Sequence, residues 1–517
     1  MPLRVACIGG GPGGLFFATL LRRHDPTAEV VVFERNHRHD AFGFGVVFSE
    51  SALKAVDAAD PVLRDGLREH GHHWDRIEVR LKGERRSLEG NGMAAIHRRT
   101  LLPLLHRRAE EAGVDLRFGT EITDPSTLSD FDVVVGADGA NSRVRRWVSD
   151  DLGHSTETAR AKFIWFGTRH TFDGLTFVHR RSEHGTFAAH AYPIAPDLST
   201  FIVETDEHTW RAAGLDRFDT GLPPGVSDER SRSFIEDLFS EDLDSAEVVA
   251  NNSRWASFRT HRSRSWHSGN VVLLGDAVHT AHFSVGSGTK MAMEDGLVLA
   301  EELASGHGSL EEAFTAYEAR RQPAVQRIQD AAAGGLSWWE NFGLYHREFA
   351  PTRFAFHFFS RSINIDRIEP RDPALVARVR KGWEQEHGAA ALSTPLRTTR
   401  REVPCRRFDW DGSVLRVPGQ EGSVFPDEEL TVLRLPGEGH GAPVDAFELA
   451  AATAGETVLV TGGDPLDRTR VGEELRLRRG RAAIIAVAPD EPLDAETLIL
   501  SGRADAVAHV THGDHDG

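Results

Sequence analysis

A glycine-rich turn between a strand and a helix is the feature that most constrains how this chain can fold. The apolar run Arg4–Ile8 leads into Gly9–Gly14, which fits the pattern G-x-G-x-x-G and precedes the helical periodicity of LFFATLLRR. The β-branched run EVVVFER then completes a βαβ unit within the first 35 residues. The sequence therefore predicts a Rossmann-like unit whose helix N-terminus faces phosphate groups.

The glycines of this turn and one acidic residue have separate physical roles. Gly9 allows the tight turn, Gly11 lets the backbone approach a pyrophosphate, and Gly14 permits close packing of the helix on the strand. Glu34 follows Gly14 by twenty residues and ends the second strand, where a carboxylate can accept hydrogen bonds from ribose hydroxyls. These positions predict dinucleotide binding but do not distinguish NAD from FAD.

Later glycine-containing segments favour FAD. The predicted strand DVVV leads into Gly136–Gly139, and the predicted strand NVVLL leads into Gly275–His279. The turn Gly286–Lys290 then enters a helix predicted from about Lys290 to Ala304. A carboxylate at a strand end can accept hydrogen bonds from a polyol, and amides at a helix start can donate to a carbonyl oxygen of a flavin ring.

These three motifs, in this order, resemble those of the single-component flavoprotein aromatic hydroxylases typified by para-hydroxybenzoate hydroxylase. The resemblance implies an α/β fold: a Rossmann-like FAD-binding domain, an antiparallel-sheet substrate domain and a small α/β C-terminal domain. Arg98 joins the motifs because Leu101 and Leu105 complete R-x-x-L-x-x-x-L on a helix predicted over Arg98–Ala112. The residues implied to contact FAD are Gly9, Gly11, Pro12, Gly13, Gly14, Glu34, Arg35, Arg98, Asp138, Gly139, Asp276, Gly286, Gly288 and Thr289.

A closer resemblance, from residue 3 to about residue 385, is to the salicylyl-CoA 5-hydroxylase and anthraniloyl-CoA monooxygenase subgroup, and the tryptophan hydroxylase of violacein synthesis is similar too. The segments that carry it are Phe44–Ser49, Trp165–Thr168, His190–Tyr192, Ser199–Glu204 and Gly275–Ser284. The subgroup implies hydroxylation of an electron-rich aromatic ring carried as a coenzyme A thioester, such as salicyloyl-CoA or anthraniloyl-CoA. Two positions depart from its pattern: Phe44 stands where Trp is usual, and His97 stands where Gly is usual.

The resemblance also implies the chemistry and the candidate catalytic residues. NAD(P)H reduces FAD, molecular oxygen adds to the reduced flavin, and a flavin hydroperoxide passes a hydroxyl to the ring. Residues 150–385 hold no second nucleotide fingerprint, so NAD(P)H is expected to bind transiently, with NADH favoured. His190 and Tyr192 share one face of a predicted strand, and His282 lies in the loop beside the flavin, so these three are the candidates near the substrate.

Several other functions remain open at this stage. The substrate could be a free or carrier-bound aromatic, either tryptophan-like or a natural-product intermediate. The flavoenzyme could be a reductase or a halogenase, although the halogenase pattern W-x-W-x-I-P is absent from the sequence. A non-catalytic FAD-binding remnant is the third class. Bound FAD, and NAD(P)H oxidation stimulated by an aromatic acyl-CoA, separate the predicted enzyme from these alternatives.

Composition narrows the partners and the compartment. The chain has 60 basic and 78 acidic residues, a net charge of −18, which disfavours a general nucleic-acid or membrane-surface binder. Its two cysteines, Cys7 and Cys405, are too few for a disulfide framework or a cysteine metal site. No signal peptide or membrane span is predicted, so a cytoplasmic location is expected, and the oligomeric state stays open.

Changes in the residue pattern predict four parts. They are an FAD-binding domain (1–75, 93–162 and 266–330), a substrate domain (76–92 and 163–265), a helical segment (331–388) and a C-terminal domain (389–517). In the C-terminal domain, Ser393–Arg397 and Leu498–Asp505 resemble the entry and the last strand of an Old Yellow Enzyme-type barrel. A complete barrel needs about 250 residues, so this domain is predicted to be a degenerate remnant without a second flavin.

Overall fold

The computed structural model describes residues 2–40, 43–49, 58–218, 225–437, 444–489, 491 and 494–511. The chain forms two compact units, one of Met1–Arg80 with Asn91–Glu340 and one of Leu81–Gly90 with Asn341–Gly517. The four predicted parts divide the chain differently, and their boundaries stay a prediction. None of the helices in the described ranges is long and apolar enough to cross a membrane.

Seven of the fifteen helices in the described residues begin at aspartates whose side chains accept hydrogen bonds from first-turn amides, as at Asp60, Asp228 and Asp372. In chain order the helices are α1 (Pro12–His24), α2 (Pro61–His70), α3 (Arg98–Glu111), α4 (Arg143–Trp147), α5 (Ser149–Leu152), α6 (Glu207–Ala212), α7 (Glu229–Leu238), α8 (Gly288–Ala304), α9 (Leu310–Glu348), α10 (Pro351–Phe359), α11 (Ile365–Ile368), α12 (Pro373–His387), α13 (Ala446–Ala452), α14 (Pro465–Glu473) and α15 (Ala495–Ser501).

The strands fall into parallel and antiparallel sheets. In chain order they are β1 (Arg4–Ile8), β2 (Glu29–Glu34), β3 (Gly45–Ser49), β4 (His72–Trp74), β5 (Ile77–Leu81), β6 (Glu84–Leu88), β7 (Met93–His97), β8 (Asp115–Phe118), β9 (Val133–Gly136), β10 (Ser155–Thr168), β11 (Leu175–Arg181), β12 (Thr186–Ala195), β13 (Leu198–Thr205), β14 (Val248–Ala250), β15 (Ala256–Arg262), β16 (His267–Ser268), β17 (Val271–Leu273), β18 (Leu396–Arg397), β19 (Glu402–Val403), β20 (Arg407–Trp410), β21 (Leu415–Arg416), β22 (Thr431–Leu435), β23 (Thr457–Gly462), β24 (Ala482–Val487) and β25 (Ala506–Val510).

The first unit is built on the predicted Rossmann-like sheet. Its strand order is β16-β17-β9-β1-β2-β8, and β1 pairs in parallel with both β2 and β9. Val5, Val133 and Val272 are fully buried in the core of this sheet. The strand ends that carry Gly9, Gly136 and Leu273 are therefore neighbours at one edge of the sheet.

The second layer of this unit is antiparallel, as the aromatic and β-branched runs predict. Strands β10, β13, β12 and β11 pair antiparallel in that order, and β15 pairs with β10. Residues Ile77–Leu88 alternate between apolar and polar side chains, a pattern that predicts one strand. That prediction is wrong, because Lys82 and Gly83 turn the chain with φ of 50° and 77° and separate β5 from β6. Residues 227–243 are predicted from their pattern to be mostly helical, and the helix there is Glu229–Leu238.

The second unit holds a mainly parallel sheet of order β21-β20-β25-β24-β23-β22. Strands β22 to β25 are parallel neighbours with a helix between each pair, and β20 lies parallel to β25 on the other side. In a closed βα barrel the last strand pairs in parallel with the first, as β25 pairs with β20 in this sheet. The order suits a barrel that lacks its middle strands, and the remnant interpretation stays a prediction.

A buried polar cluster lies inside this second unit. Tyr345 donates its hydroxyl to Glu473, and His357 Nε2 lies 3.0 Å from Glu473 Oε1. Arg503 donates to the backbone oxygen of His357 at 2.7 Å and to Ser360 Oγ at 2.9 Å. Burial by itself raises the pKa of Glu473, but His357 and Arg503 hold that pKa below its usual value. The cluster is a satisfied buried network, which favours a single packing arrangement.

Glycines where α1 meets α8 give a test of the packing. A Cβ at Gly296 would lie 2.7 Å from the Gly13 oxygen and 3.0 Å from the Phe17 nitrogen. We expect Gly296→Ala to destabilise the protein by about 1–3 kcal/mol, because overpacking forces the helices apart. The measurement is the free energy of unfolding of the full-length chain.

The matched control is Gly382→Ala in α12. A Cβ there meets nothing within 4 Å. It should be neutral or should stabilise the helix by up to about 1 kcal/mol. Equal stability of the two variants would contradict the close helix contact.

Candidate active site

The glycine turn after β1 has the geometry that its sequence predicts. Gly9 has a φ of +116°, and a Cβ there would lie 2.2 Å from the Ala137 oxygen. A Cβ at Gly14 would lie 2.3 Å from the Gly9 oxygen, whereas one at Gly11 would meet nothing within 4 Å. Gly9 and Gly14 are thus required by protein packing. Gly11 instead leaves open space above the turn, where a pyrophosphate can approach.

Glu34 is held beside this turn by hydrogen bonds to both carboxylate oxygens. Gly10 N donates to Glu34 Oε2 at 2.8 Å, and the backbone and side-chain nitrogens of Asn36 donate to Oε1 at 2.8 and 2.6 Å. The carboxylate is therefore fixed at the end of β2 and remains half-exposed. Arg35 is exposed and does not line the cavity described below.

The Asp138 loop has one carboxylate oxygen that protein atoms do not use. Asp138 Oδ2 accepts hydrogen bonds from the backbone nitrogens of Arg143 and Val144 at 2.6 and 3.2 Å. Asp138 Oδ1 is buried and has no hydrogen-bond partner among the described residues. Gly139 follows with a φ of +80°, which turns the chain into α4. An orphaned buried oxygen at this point suits a ligand hydroxyl.

Buried charges fix the loop that carries Asp276. Asp295 accepts hydrogen bonds from Gly275 N at 3.0 Å, His279 Nε2 at 2.7 Å and Arg321 Nε at 2.8 Å. Burial by itself raises the pKa of Asp295, but His279 and Arg321 hold that pKa below its usual value. His279 is thus a hydrogen-bonding residue of this loop. Neither Asp295 nor Arg321 belongs to a recognisable sequence motif, because each meets its partners only through the fold.

Asp276 itself faces the cavity. Its side chain is accessible from that space although it lies deep in the protein, and burial there raises its pKa. Arg145 ties this loop to the Asp138 loop, since it donates to the Ala277 oxygen and the Ala140 oxygen, both at 2.8 Å. The two carboxylate loops therefore keep a fixed separation.

Two helices begin at the site without side-chain caps. Neither α1 at Gly11 nor α8 at Ser287 has a side-chain hydrogen bond at its N-cap. Gly286 has a φ of +62°, and Gly288 and Thr289 start α8 at the cavity wall. First-turn amides without caps can donate to an anionic or carbonyl oxygen of a ligand.

A cavity of about 820 Å³ joins the flavin motifs to the antiparallel sheet. Arg98, Asp276, Gly286, Gly288 and Thr289 line it. The aromatic rings that also line it, here called the aromatic wall, belong to Phe163, Trp165, Phe177, Tyr192, Trp255, Phe258 and Phe283. Such a cavity suits a planar ring held between a polar side and an apolar wall.

The three candidate catalytic residues occupy different positions. His190 and Tyr192 both line the cavity, as their shared strand face predicts. His282 is buried but is not among the lining residues; its Nδ1 lies 2.9 Å from Ser284 Oγ. Glu204, a buried acid that sequence analysis did not select, lies between the histidines, with its Oε1 3.1 Å from His190 Nε2 and 4.0 Å from His282 Nε2.

The surroundings of His190 and Tyr192 restrict what each can do. The His190 ring packs on Trp339 with a centroid separation of 4.2 Å and on Phe177 at 4.7 Å. Tyr192 donates its hydroxyl to the Gly45 oxygen at 3.4 Å, and burial raises its pKa to about 12. Tyr192 is thus a neutral hydrogen-bond donor at physiological pH, whereas His190 is a group that can exchange a proton.

These features fit FAD. The open space at Gly11, the orphaned Asp138 oxygen and the uncapped starts of α1 and α8 are places where the ligand's polar atoms find partners. Glu34 would hold the adenosine ribose, Asp276 the ribityl or pyrophosphate region, and Gly286, Gly288 and Thr289 the flavin ring. These individual contacts remain predictions.

Comparison with known proteins agrees with this assignment. The family model described as FAD binding domain matches residues 3–332. A salicyloyl-CoA 5-hydroxylase of a Streptomyces species is 54% identical, over 98% of this chain and 99% of its own length. The 3-hydroxy-4-methyl-anthranilyl-[aryl-carrier protein] 5-monooxygenase of Streptosporangium sibiricum is 36% identical, over 65% of this chain and 89% of its length.

A solved structure shows the same fold. The crystal structure of PqsL from P. aeruginosa is 24% identical, with a TM-score of 0.52 over 66% of this chain and 97% of that chain. The α/β fold class is confirmed, and so is FAD as the cofactor.

Because of the space above Gly11, a substitution there is expected to weaken FAD binding without lowering the stability of the protein. Because a Cβ fits there without contact, Gly11→Ala should leave the free energy of unfolding unchanged within about 0.5 kcal/mol. It should weaken FAD binding about tenfold or more, because the methyl group occupies the approach of the pyrophosphate. Titration of the apoprotein by flavin fluorescence measures the dissociation constant.

The control for this variant is Gly382→Ala, another glycine with no neighbour for a Cβ. It should bind FAD as the unmodified chain does. Unchanged affinity in Gly11→Ala would contradict the pyrophosphate position.

Proposed function

We propose that this chain, which belongs to the FAD binding domain family and is a flavin-dependent aromatic monooxygenase, hydroxylates the ring of an aromatic acyl-CoA thioester such as salicyloyl-CoA or anthraniloyl-CoA. The observation that carries the proposal is the full-length similarity to a salicyloyl-CoA 5-hydroxylase, 54% identical over 98% of this chain. The cavity supports it, because aromatic rings and the flavin-binding loops line the same space.

FAD, when bound and reduced by NAD(P)H, supplies the activation of oxygen that the reaction needs, and we propose NADH as the reductant. The protein's own part is to hold and orient the reacting ring and to keep water out. Trp165 and Phe163 both pack edge-to-face on Phe283, at 5.5 and 5.0 Å between centroids, so this wall is rigid. A substrate ring resting on it has one face turned to the flavin loops.

His190 is the proposed acceptor of the proton that the ring or its phenol loses. Glu204, whose Oε1 lies 3.1 Å from His190 Nε2, is proposed to orient the imidazole, as a carboxylate commonly does for a working histidine. Packing against Trp339 and Phe177 prevents the ring from rotating away. We propose His282 as a support for Glu204, because it lies behind the cavity wall.

Tyr192 is proposed to bind the substrate without titrating. Its ring stacks on Trp74 at 6.1 Å and lines the cavity, and its pKa of about 12 keeps the hydroxyl protonated. The hydroxyl can therefore donate to an oxygen of the substrate, in place of its long 3.4 Å hydrogen bond to the Gly45 oxygen.

A carrier-bound substrate is the second candidate. It is favoured by the similarity to a monooxygenase whose named substrate is an anthranilyl group on an aryl-carrier protein, 36% identical to this chain. Both candidates present the same ring to the cavity and differ in what lies outside it. The two thioesters share the phosphopantetheine arm, so the distinction depends on what carries that arm, the adenine nucleotide of coenzyme A or a protein.

A substrate panel tests the proposal. With FAD-loaded enzyme and NADH, salicyloyl-CoA and anthraniloyl-CoA should stimulate NADH oxidation and give products heavier by one oxygen atom in mass spectra. Free salicylate and anthranilate should do neither, because they lack the tail that holds the ring in place. Stimulation by a carrier-bound arene alone would select the second candidate, and no hydroxylated product from any member would refute the activity.

Two buried histidines offer a matched test of proton transfer. His190 and His179 both pack on Trp339, at 4.2 and 6.3 Å, but only His190 lines the cavity. His190→Gln should lower kcat for hydroxylation about a hundredfold or more, because general acid–base groups contribute roughly that much. His179→Gln should retain kcat within about threefold, which corresponds to less than about 1 kcal/mol in the barrier.

Glu204→Gln separates positioning from catalysis in the same experiment. It should lower kcat less than His190→Gln does and should shift the pH profile of kcat, because the neutral amide no longer holds the imidazole's proton. An unchanged pH profile would show that Glu204 is structural. Retention of FAD and of the unfolding midpoint are the controls for both variants.

A further inference from the structure

The cavity opens to solvent at the end formed by β10 and β15. Its deep residues, among them Phe177, His190 and Tyr192, are buried. Thr158, Ala256 and Arg259 line it as well and are exposed. A substrate whose ring lies against the aromatic wall can therefore extend its tail along these two strands.

This opening carries positive charge in a chain whose net charge is −18. The segment from Val248 to Gly275 contains no acidic residue, and its arginines are Arg254, Arg259, Arg262 and Arg264. Arg259 therefore places a positive charge at the opening, although the chain as a whole is acidic. Anionic groups are attracted to such a place even when the whole protein is acidic.

Only one of these arginines lines the cavity. Arg262 lies 3.7 Å from Glu157, and Arg254 donates to the Val226 oxygen at 2.9 Å. Arg259 is exposed at the cavity and forms no ion pair with any residue in the described ranges. Its guanidinium is thus available to an anion from solution.

A lysine lies on the neighbouring strand of the same pair, although it is not among the residues that line the cavity. Lys162 pairs with Ser257 across β10 and β15, and Lys162 Nζ donates to Ser257 Oγ at 2.9 Å. The register of β10 against β15 shifts between the pairs Lys162–Ser257 and Thr158–Arg259. The pKa of Glu207 is lowered mainly by its hydrogen bond from Arg211 and to a smaller extent by the charge of Lys162. The charge of Lys162 is therefore partly neutralised by Glu207.

We propose that Arg259 binds the phosphate groups of the substrate's coenzyme A tail at the cavity opening. This inference rests on the proposed function, because it needs an acyl-CoA whose ring occupies the aromatic end. The ring and thioester enter the cavity, whereas the hydrated phosphates stay at its rim. A guanidinium binds phosphate oxygens with two parallel hydrogen bonds.

A nicotinamide dinucleotide carries the same chemistry, a pyrophosphate linked to ribose, and must be separated experimentally from the acyl-CoA. Salicyloyl-CoA and the N-acetylcysteamine thioester of salicylate present the same ring and thioester to the cavity. Only the first carries phosphates. Comparison of the two therefore isolates the contribution of the tail.

The test uses Arg259→Gln in the FAD-loaded full-length chain, with Arg262→Gln as the control. Both substitutions remove one positive charge from the same strand, but Arg262 is outside the cavity lining. In Arg259→Gln, KM for salicyloyl-CoA should rise about tenfold, since a hydrogen bond to a charged group contributes about that much. KM for the N-acetylcysteamine thioester and for NADH should change less than twofold, and Arg262→Gln should behave as the unmodified enzyme.

Each other outcome has its own meaning. Equal KM for salicyloyl-CoA in Arg259→Gln and the unmodified enzyme would overturn the inference while leaving hydroxylation intact. A rise in KM for NADH alone would assign Arg259 to the dinucleotide and overturn it as well. If the unmodified enzyme hydroxylates neither thioester, the proposed function itself fails, and that result does not depend on Arg259.

Discussion

The close approach of backbones at glycines is the constraint on which the rest of this structure depends. Gly9 lies against Ala137, and Gly13 and Gly296 bring α1 and α8 into contact. Without those contacts, the turn near residue 10 and the loop near residue 280 would lie apart, although both are needed for one ligand. The flavin site therefore depends on close packing, because glycines without a Cβ allow motifs distant in the sequence to lie side by side.

Buried charges then fix what the glycines bring together. Asp295 binds His279 and Arg321 in a fully buried network, and Arg145 joins the two carboxylate loops through backbone oxygens. Removing one member of such a network leaves an uncompensated buried charge, which destabilises a protein by several kcal/mol, about 3–5. The loops that face the cofactor are therefore rigid, and binding need not order them.

The antiparallel sheet supplies chemistry of a different kind. Its rings form an apolar wall, and Glu204 with His190 forms one ionisable pair within that wall. An acid and a base placed in an otherwise apolar surface are costly to bury, which is a reason to expect them to work in the reaction. At the open end of the same cavity the surroundings become polar and basic at Arg259, so one cavity can accept a molecule with an aromatic head and an anionic tail.

The sequence by itself determined the βαβ unit, the three flavin motifs and the strand face shared by His190 and Tyr192, because each depends on local spacing. It also indicated an aromatic substrate through its resemblance to a family. The role of Glu204, the buried anion at Asp295 and the position of Arg259 at the cavity opening were decided only by the tertiary structure. Their partners lie tens of residues away or on neighbouring strands, and no periodicity or motif encodes such a meeting. The turn at Lys82 and Gly83 was missed for a related reason, since alternation persists across a tight turn and does not show that the strand has ended.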